Sequence, residues 1–274
     1  MVPWGPLERF PQYSDVIFAD FDNDGWQDFV VLDRAVDEFV QGRSILFMNK
    51  GDGTFDPKPT TVSGLNATSI SAEAADLNND GLVDLLVSAD PDNTGVVYDA
   101  RAFESIVFMN SGAHGGCKNH WIRFAFEGVS DAQLIGTRVV LRDPVTGRIL
   151  GTRGIYSNHS YKSSSALEAH FGLGRVERVD VEFWLPGGRL VKLKNVEGDR
   201  YVRVDLSTAT LRELPRARSA TCMRDRGLFV SGKIFTRAHR PSPPGEGAGV
   251  RVGGVRERLL PIRRDWRRSA HCRG

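Results

Sequence analysis

The chain has 274 residues, 41% of them hydrophobic, and a formal charge of +2 at pH 7. That length holds one large domain or two ordinary ones, and no run of about 18 apolar residues exists to cross a membrane. Three cysteines, Cys117, Cys222 and Cys272, are too few and too scattered for a disulfide framework or a zinc site, so each reads as a lone thiol.

The near-neutral total conceals an asymmetry. Residues 216–274 carry 15 Lys/Arg against 4 Asp/Glu, a local charge of +11. The other 215 residues hold 21 basic and 30 acidic side chains, or −9. An acidic body suits cation binding; the basic tail is a separate matter.

The first residues, M-V-P-W-G-P-L-E-R-F, lack a basic segment followed by an apolar one, so no secretory signal is read there. A short apolar stretch, Val16 to Ala19, then enters the loop D-F-D-N-D-G-W-Q-D, Asp20 to Asp28. Oxygen-bearing side chains stand at loop positions 1, 3, 5 and 9, with Gly25 at position 6. Alternate side chains facing inward over a tight turn can surround a hard cation with oxygen ligands. The loop D-L-N-N-D-G-L-V-D, Asp76 to Asp84, repeats the pattern 56 residues later. Asp, Asn and Gly also build ordinary surface turns. Two copies with one spacing, each set between apolar runs, favour calcium.

An EF-hand shares the start of this pattern but needs a bidentate Glu at position 12 and flanking helices. Here position 12 is Val31 in one loop and Val87 in the other, and Phe29 to Leu32 reads as a buried strand. The EF-hand is rejected. The similarity extends beyond the loops: S-I-L-F-M-N-K-G, Ser44 to Gly51, is echoed by S-I-V-F-M-N-S-G, Ser105 to Gly112. Each unit therefore reads strand, acidic loop, strand, connection, strand and glycine turn, which predicts propeller blades of about four strands.

These units resemble FG-GAP/VCBS repeats, known from the integrin α-type propeller. The resemblance implies calcium held by Asp20, Asp22, Asp24, the Trp26 carbonyl and Asp28. In the second unit it implies Asp76, Asn78, Asp80, the Leu82 carbonyl and Asp84. Asn78 removes one negative charge, so the second loop is expected to bind more weakly. Two blades do not close a ring. The missing blades are expected from a longer parent chain, of which this would be the C-terminal part, or from another chain.

After Gly112 the pattern changes to alternating polar and apolar residues: W-I-R-F-A-F-E, R-V-V-L-R, R-V-D-V-E-F-W and R-L-V-K-L-K. Such alternation predicts antiparallel strands with one wet face. N-H-W-I (Asn119 to Ile122), I-G-T-R-V (Ile135 to Val139), H-F-G-L-G (His170 to Gly174) and V-E-F-W-L-P-G-G (Val181 to Gly188) resemble the ASPIC/UnbV domain, which follows FG-GAP repeats in cartilage acidic protein-like chains. His120 and His170 read as packing or turn-anchoring residues, and Trp184 as the large apolar anchor of a small sandwich. No G-x-S-x-G elbow surrounds the serines Ser163 to Ser165. Asn66-Ala67-Thr68 and Asn158-His159-Ser160 fit the N-glycosylation pattern.

The expected fold is all-β, in three parts. Residues 1–115 form two FG-GAP/VCBS-type repeats of an incomplete propeller, 116–207 an ASPIC/UnbV-like antiparallel β-sandwich domain, and 208–274 a basic, disordered tail. The expected function is non-enzymatic: a calcium-binding interaction module of a secreted or cell-envelope protein, with a protein or glycan partner. Nucleic acid is not the expected partner of the tail, whose Arg, Gly and Pro lack pattern. The rival readings are an accessory or enzyme of a secondary-metabolite pathway, as in UnbV-type proteins, and a truncated product without function.

Overall fold

Among the described residues, four sheets, each of four strands, account for nearly all the regular structure. The computed structural model describes residues 13–33, 44–58, 69–89, 105–113, 115–157, 164–214 and 229–233, all within one compact unit. The fold is all-β, and none of the sheets closes on itself.

The first sheet is a meander of β1 (Tyr13–Ala19), β2 (Asp28–Asp33), β3 (Ile45–Asn49) and β4 (Phe55–Lys58), each antiparallel to the next. Alternation sends Ile17, Val30 and Leu46 to one face. That face is buried against Ala72, Leu85, Val87 and Phe108 of the second sheet in a shared apolar core. The opposite face carries an aromatic cluster, with Phe29 stacked on Phe47 at 4.6 Å and edge-on to Phe55 at 4.9 Å.

The second sheet contains β5 (Ser69–Ala75), β6 (Asp84–Ala89), β7 (Ser105–Asn110) and, outermost, β16 (Phe229–Lys233). The whole second domain therefore lies in sequence between the third and fourth strands of this sheet. Here the sequence expectation is corrected. Both β16 and β15 (Thr210–Glu213) fall inside 208–274, the span expected to be disordered. Arg content dominated that expectation, whereas the open edges of β7 and β14 supply the pairing that orders these short segments. Residues 215–228 and 234–274 lie outside the described residues, as do both N-glycosylation motifs.

The second domain is a sandwich. One sheet runs β10 (Ile149–Gly154), β9 (Arg138–Arg142), β12 (Arg178–Trp184), β13 (Leu190–Glu197). The other runs β11 (Ala169–Gly174), β8 (His120–Glu127), β14 (Arg200–Asp205), β15. It is not wholly antiparallel as expected, because β14 lies parallel to β8. The tight turn at Gly198 and Asp199 carries the chain from one sheet to the other and sets that direction. Phe124, Phe171 and Phe183 meet edge-on in the core. Phe183, fully buried, is the apolar anchor expected of Trp184. Trp184 lies on the opposite face of β12, with Arg138 over its ring.

One helical turn, α1 (Asp131–Leu134), was not anticipated. Gln133 Oε1 accepts from the Ser130 amide at 3.0 Å and from its hydroxyl at 3.1 Å. Ser-x-x-Gln is the sequence sign of such a capping box. Gln133→Ala is expected to cost about 1 kcal/mol, read as a small fall in the thermal midpoint.

Candidate metal centre

Both acidic loops connect the first two strands of their sheets. Gly25 (φ 98°) and Gly81 (φ 91°) supply the left-handed turn at position 6, and Asn23 (φ 56°) and Asn79 (φ 58°) do so at position 4. Asn tolerates that region better than other non-glycine residues.

In the first loop, carboxylate oxygens of Asp20, Asp22 and Asp28 lie within 4.8 Å of one another. Ca²⁺ takes oxygens at about 2.3–2.6 Å, so one ion fits between oxygens at that spacing. Asp24 stands outside this triad, its Oδ1 accepting from the Trp26 amide at 2.8 Å. Asp20 accepts from the amides of Asp24 (3.1 Å) and Gly25 (2.9 Å), and Asp28 from those of Phe21 (2.9 Å) and Asn49 (2.7 Å). Burial, with the neighbouring carboxylates, raises Asp20 well above its ordinary value. Asp22 rises to about 6 and Asp28 to about 7, burial again the main cause. Crowded, buried negative charge without a cation is costly.

The second loop is built alike but balanced differently. Asp84 accepts from the amides of Leu77 and Asn110, and burial raises it to about 7. The Asn78 amide, however, donates to Asp80 Oδ2 at 2.7 Å. The Arg123 guanidinium also stands 3.9 Å from Asp76 Oδ2. The internal hydrogen bond takes up part of the charge that a metal would neutralise, while the nearby cation does not set this loop apart, since Arg153 acts on Asp20 of the first loop in the same sense as Arg123 on Asp76. No second carboxylate triad of this kind occurs among the described residues.

Sequence reasoning missed two sets of residues. The first is the Asn of each F-M-N. Asn49 Nδ2 donates to the Gln27 carbonyl and Asn110 Nδ2 to that of Val83. Their Oδ1 atoms accept from Gly51 and Gly112, so each Asn ties the loop to the third strand and its turn. The identical placement of F-M-N in both repeats was the available signal.

The second set is the face of the sandwich domain that lies on the loops. His170 Nε2 pairs with Asn23 Oδ1 at 3.0 Å, the Gly174 amide donates to the Asn23 carbonyl at 2.9 Å, and Asn119 Nδ2 donates to the Asp22 carbonyl at 2.8 Å. On the other loop, Arg123 Nη1 donates to the Asp76 carbonyl at 2.9 Å and to Asn79 Oδ1 at 3.1 Å. Two glycines allow this approach. A Cβ on Gly172 would sit 2.4 Å from Asn23 Cα, and one on Gly81 would sit 2.0 Å from the Trp121 ring. N-H-W and H-F-G-L-G are thus the surface that grips the loops. His170 anchors a neighbouring domain rather than its own turn. His120 makes a local contact instead, its Nδ1 lying 2.7 Å from Asp199 Oδ2.

Cys117 is disulfide-bonded, which corrects the expectation that it is a lone thiol.

Comparison with known proteins agrees with the geometry. Residues 20–87 match the FG-GAP-like repeat, and residues 128–211 match the domain described as ASPIC and UnbV. Integrin alpha-3 of Mus musculus is 35% identical over 94 residues, which is 31% of this chain and 9% of the integrin. Integrin alpha-3 of Cricetulus griseus gives the same identity and coverage. This chain thus spans a small part of those relatives. A candidate cell adhesion protein from Bacteroides ovatus aligns over 78% of this chain and 90% of its own, at 12% identity and a TM-score of 0.24. This chain therefore joins an FG-GAP-like repeat region to a C-terminal ASPIC and UnbV domain.

Proposed function

We propose that the chain is a non-enzymatic, calcium-stabilised interaction module of a secreted or cell-envelope protein. The observation that carries this reading is the buried triad Asp20, Asp22 and Asp28, with carboxylate oxygens inside 4.8 Å. A divalent cation would neutralise the triad and fix the turn between β1 and β2, so that binding couples to folding. Asp24 and the Trp26 carbonyl would complete the shell. Asp76, Asn78, Asp80, the Leu82 carbonyl and Asp84 would form a second, weaker site.

In this role the metal is structural. The triad lies under the docked domain, and its members accept hydrogen bonds from loop amides, an arrangement for holding shape rather than for turnover. The disulfide at Cys117 supports an oxidising compartment. The likeness to integrin alpha-3 supports the cell surface and a protein or glycan partner. The two stacked sheets would be blades of a larger propeller completed by further repeats. The aromatic face of the first sheet suits such a neighbour.

Calorimetric titration with Ca²⁺ tests the reading. The expected result is heat of binding together with a raised thermal midpoint. The absence of both binding heat and any shift on adding EDTA would sink it. The second loop offers a finer test, because Asn78→Asp removes the amide donor and adds a charge. Its affinity is expected to rise about tenfold; unchanged affinity counts against the ranking of the two loops.

A further inference from the structure

The first two sheets match residue by residue. Ile17 stands opposite Val30 and Phe18 opposite Phe29 in one, as Glu73 stands opposite Leu86 and Ala74 opposite Leu85 in the other. The third strands keep the register: Phe29 faces Phe47 and Val30 faces Leu46, as Leu85 faces Phe108 and Leu86 faces Val107. Even a register shift recurs, between Tyr13 and Asp15 and between Ser69 and Ser71. Alternation then gives each sheet two rows of side chains, one on each face. In the first sheet they are Ile17, Val30, Leu46 and Phe18, Phe29, Phe47. In the second the equivalent rows are Glu73, Leu86, Val107 and Ala74, Leu85, Phe108.

The core between the sheets is built from unlike rows. Ile17, Val30 and Leu46 of the first sheet bury against Ala74, Leu85 and Phe108 of the second. The packing is therefore head-to-tail, and the two rows left over are the counterparts of the two that meet. The leftover aromatic row is open: Phe18 is 60% exposed and its neighbour Val16 40%, with Phe18 against Phe29 at 5.6 Å. On the other leftover face Leu86 and Met109 are half-buried around Val107. Glu73 departs from the apolar row at its inner end, where the Ser165 hydroxyl donates to it. A contiguous apolar face of this kind marks an interaction surface.

We propose that these two faces meet between copies of this chain, a second copy seating its Leu86 and Val107 face on the Phe18, Phe29 and Phe47 face of the first. The proposal rests on reading the two sheets as propeller blades. A partner of another kind would need one such face; a chain that carries both halves of a head-to-tail contact fits itself. Contacts of that type form a ring when the rotation closes. Propellers close with roughly four to eight blades, so about two to four copies complete one.

The test is sedimentation velocity on the full chain in buffer containing calcium. The wild type is expected to run at about two to four chain masses. Phe18→Asp and Leu86→Asp each spoil a different face, and each alone is expected to associate at least about tenfold more weakly and to run as a monomer. Mixed in equal amounts, the two variants keep one good contact between them and are expected to form a heterodimer. A wild type that stays monomeric at high micromolar concentration overturns the proposal, and so does a mixture no heavier than its components. Wild-type mass retained by Leu86→Asp overturns it too, because like faces would then be meeting. Circular dichroism checks that each variant is folded; Val16→Asp or Met109→Asp takes the place of one that is not, and the wild-type mass stands as a test without either. A monomer that still takes up calcium overturns the assembly and leaves the calcium reading standing.

Discussion

Gly172→Ala is expected to loosen the junction between the two parts of the molecule and to cost about 2–3 kcal/mol. The added methyl would stand 2.2 Å from Asp20 Oδ2 and 2.4–2.5 Å from the backbone of Asn23. A flexible side chain could swing aside, but backbone cannot. The loop must shift away from β11, and the shift breaks the Gly174 to Asn23 hydrogen bond. Asp20 moves with it, so the same variant is expected to bind calcium about tenfold more weakly. Thermal unfolding should show a fall of about 5–10 °C. An unchanged midpoint would mean that the second domain does not rest on the first loop.

Removing divalent cations is expected to lower the thermal midpoint on the order of 5–10 °C and to reverse the dependence on pH. In the metal-free chain, burial and like charge hold Asp22 at about 6, and Asp28 and Asp84 at about 7. Unfolded, each returns to an ordinary aspartate value near 4. Between about pH 4 and pH 7 the folded chain therefore holds protons that the unfolded chain has released. Stability from these groups is complete below the unfolded value and is lost as pH rises through the folded ones. In EDTA the midpoint should thus be higher near pH 5.5 than near pH 8; with calcium the carboxylates are wanted ionised, and the trend should flatten or invert. Identical pH profiles with and without chelator would argue against metal in either loop.

Much of this was legible in the chain itself. Repetition revealed the paired loops, because each oxygen-bearing position recurs at the same offset from an apolar strand. Alternation revealed the sandwich strands, because side chains in β-structure obey a period of two. What remained hidden was contact between distant segments. Nothing local in Gly172 or Trp121 says that each packs against an acidic loop about 150 or 40 residues earlier, since close approach across domains leaves no periodic trace. Trp184 and Phe183 were exchanged for a similar reason: they are adjacent, and the strand's facing depends on which neighbour covers it. Phe229 to Lys233 were lost in the basic composition around them, although F-V-S is locally β-prone.

The position of β16 has a consequence for how the molecule is made. An entire domain is translated between β7 and the strand that covers its outer edge. During synthesis that edge stays bare while roughly a hundred residues leave the ribosome, which takes several seconds or more. A bare edge is a template for pairing with another chain. Products cut short before Phe229 would therefore tend to aggregate with both acidic loops intact, and premature termination would be more damaging than the modest size of the lost strand suggests.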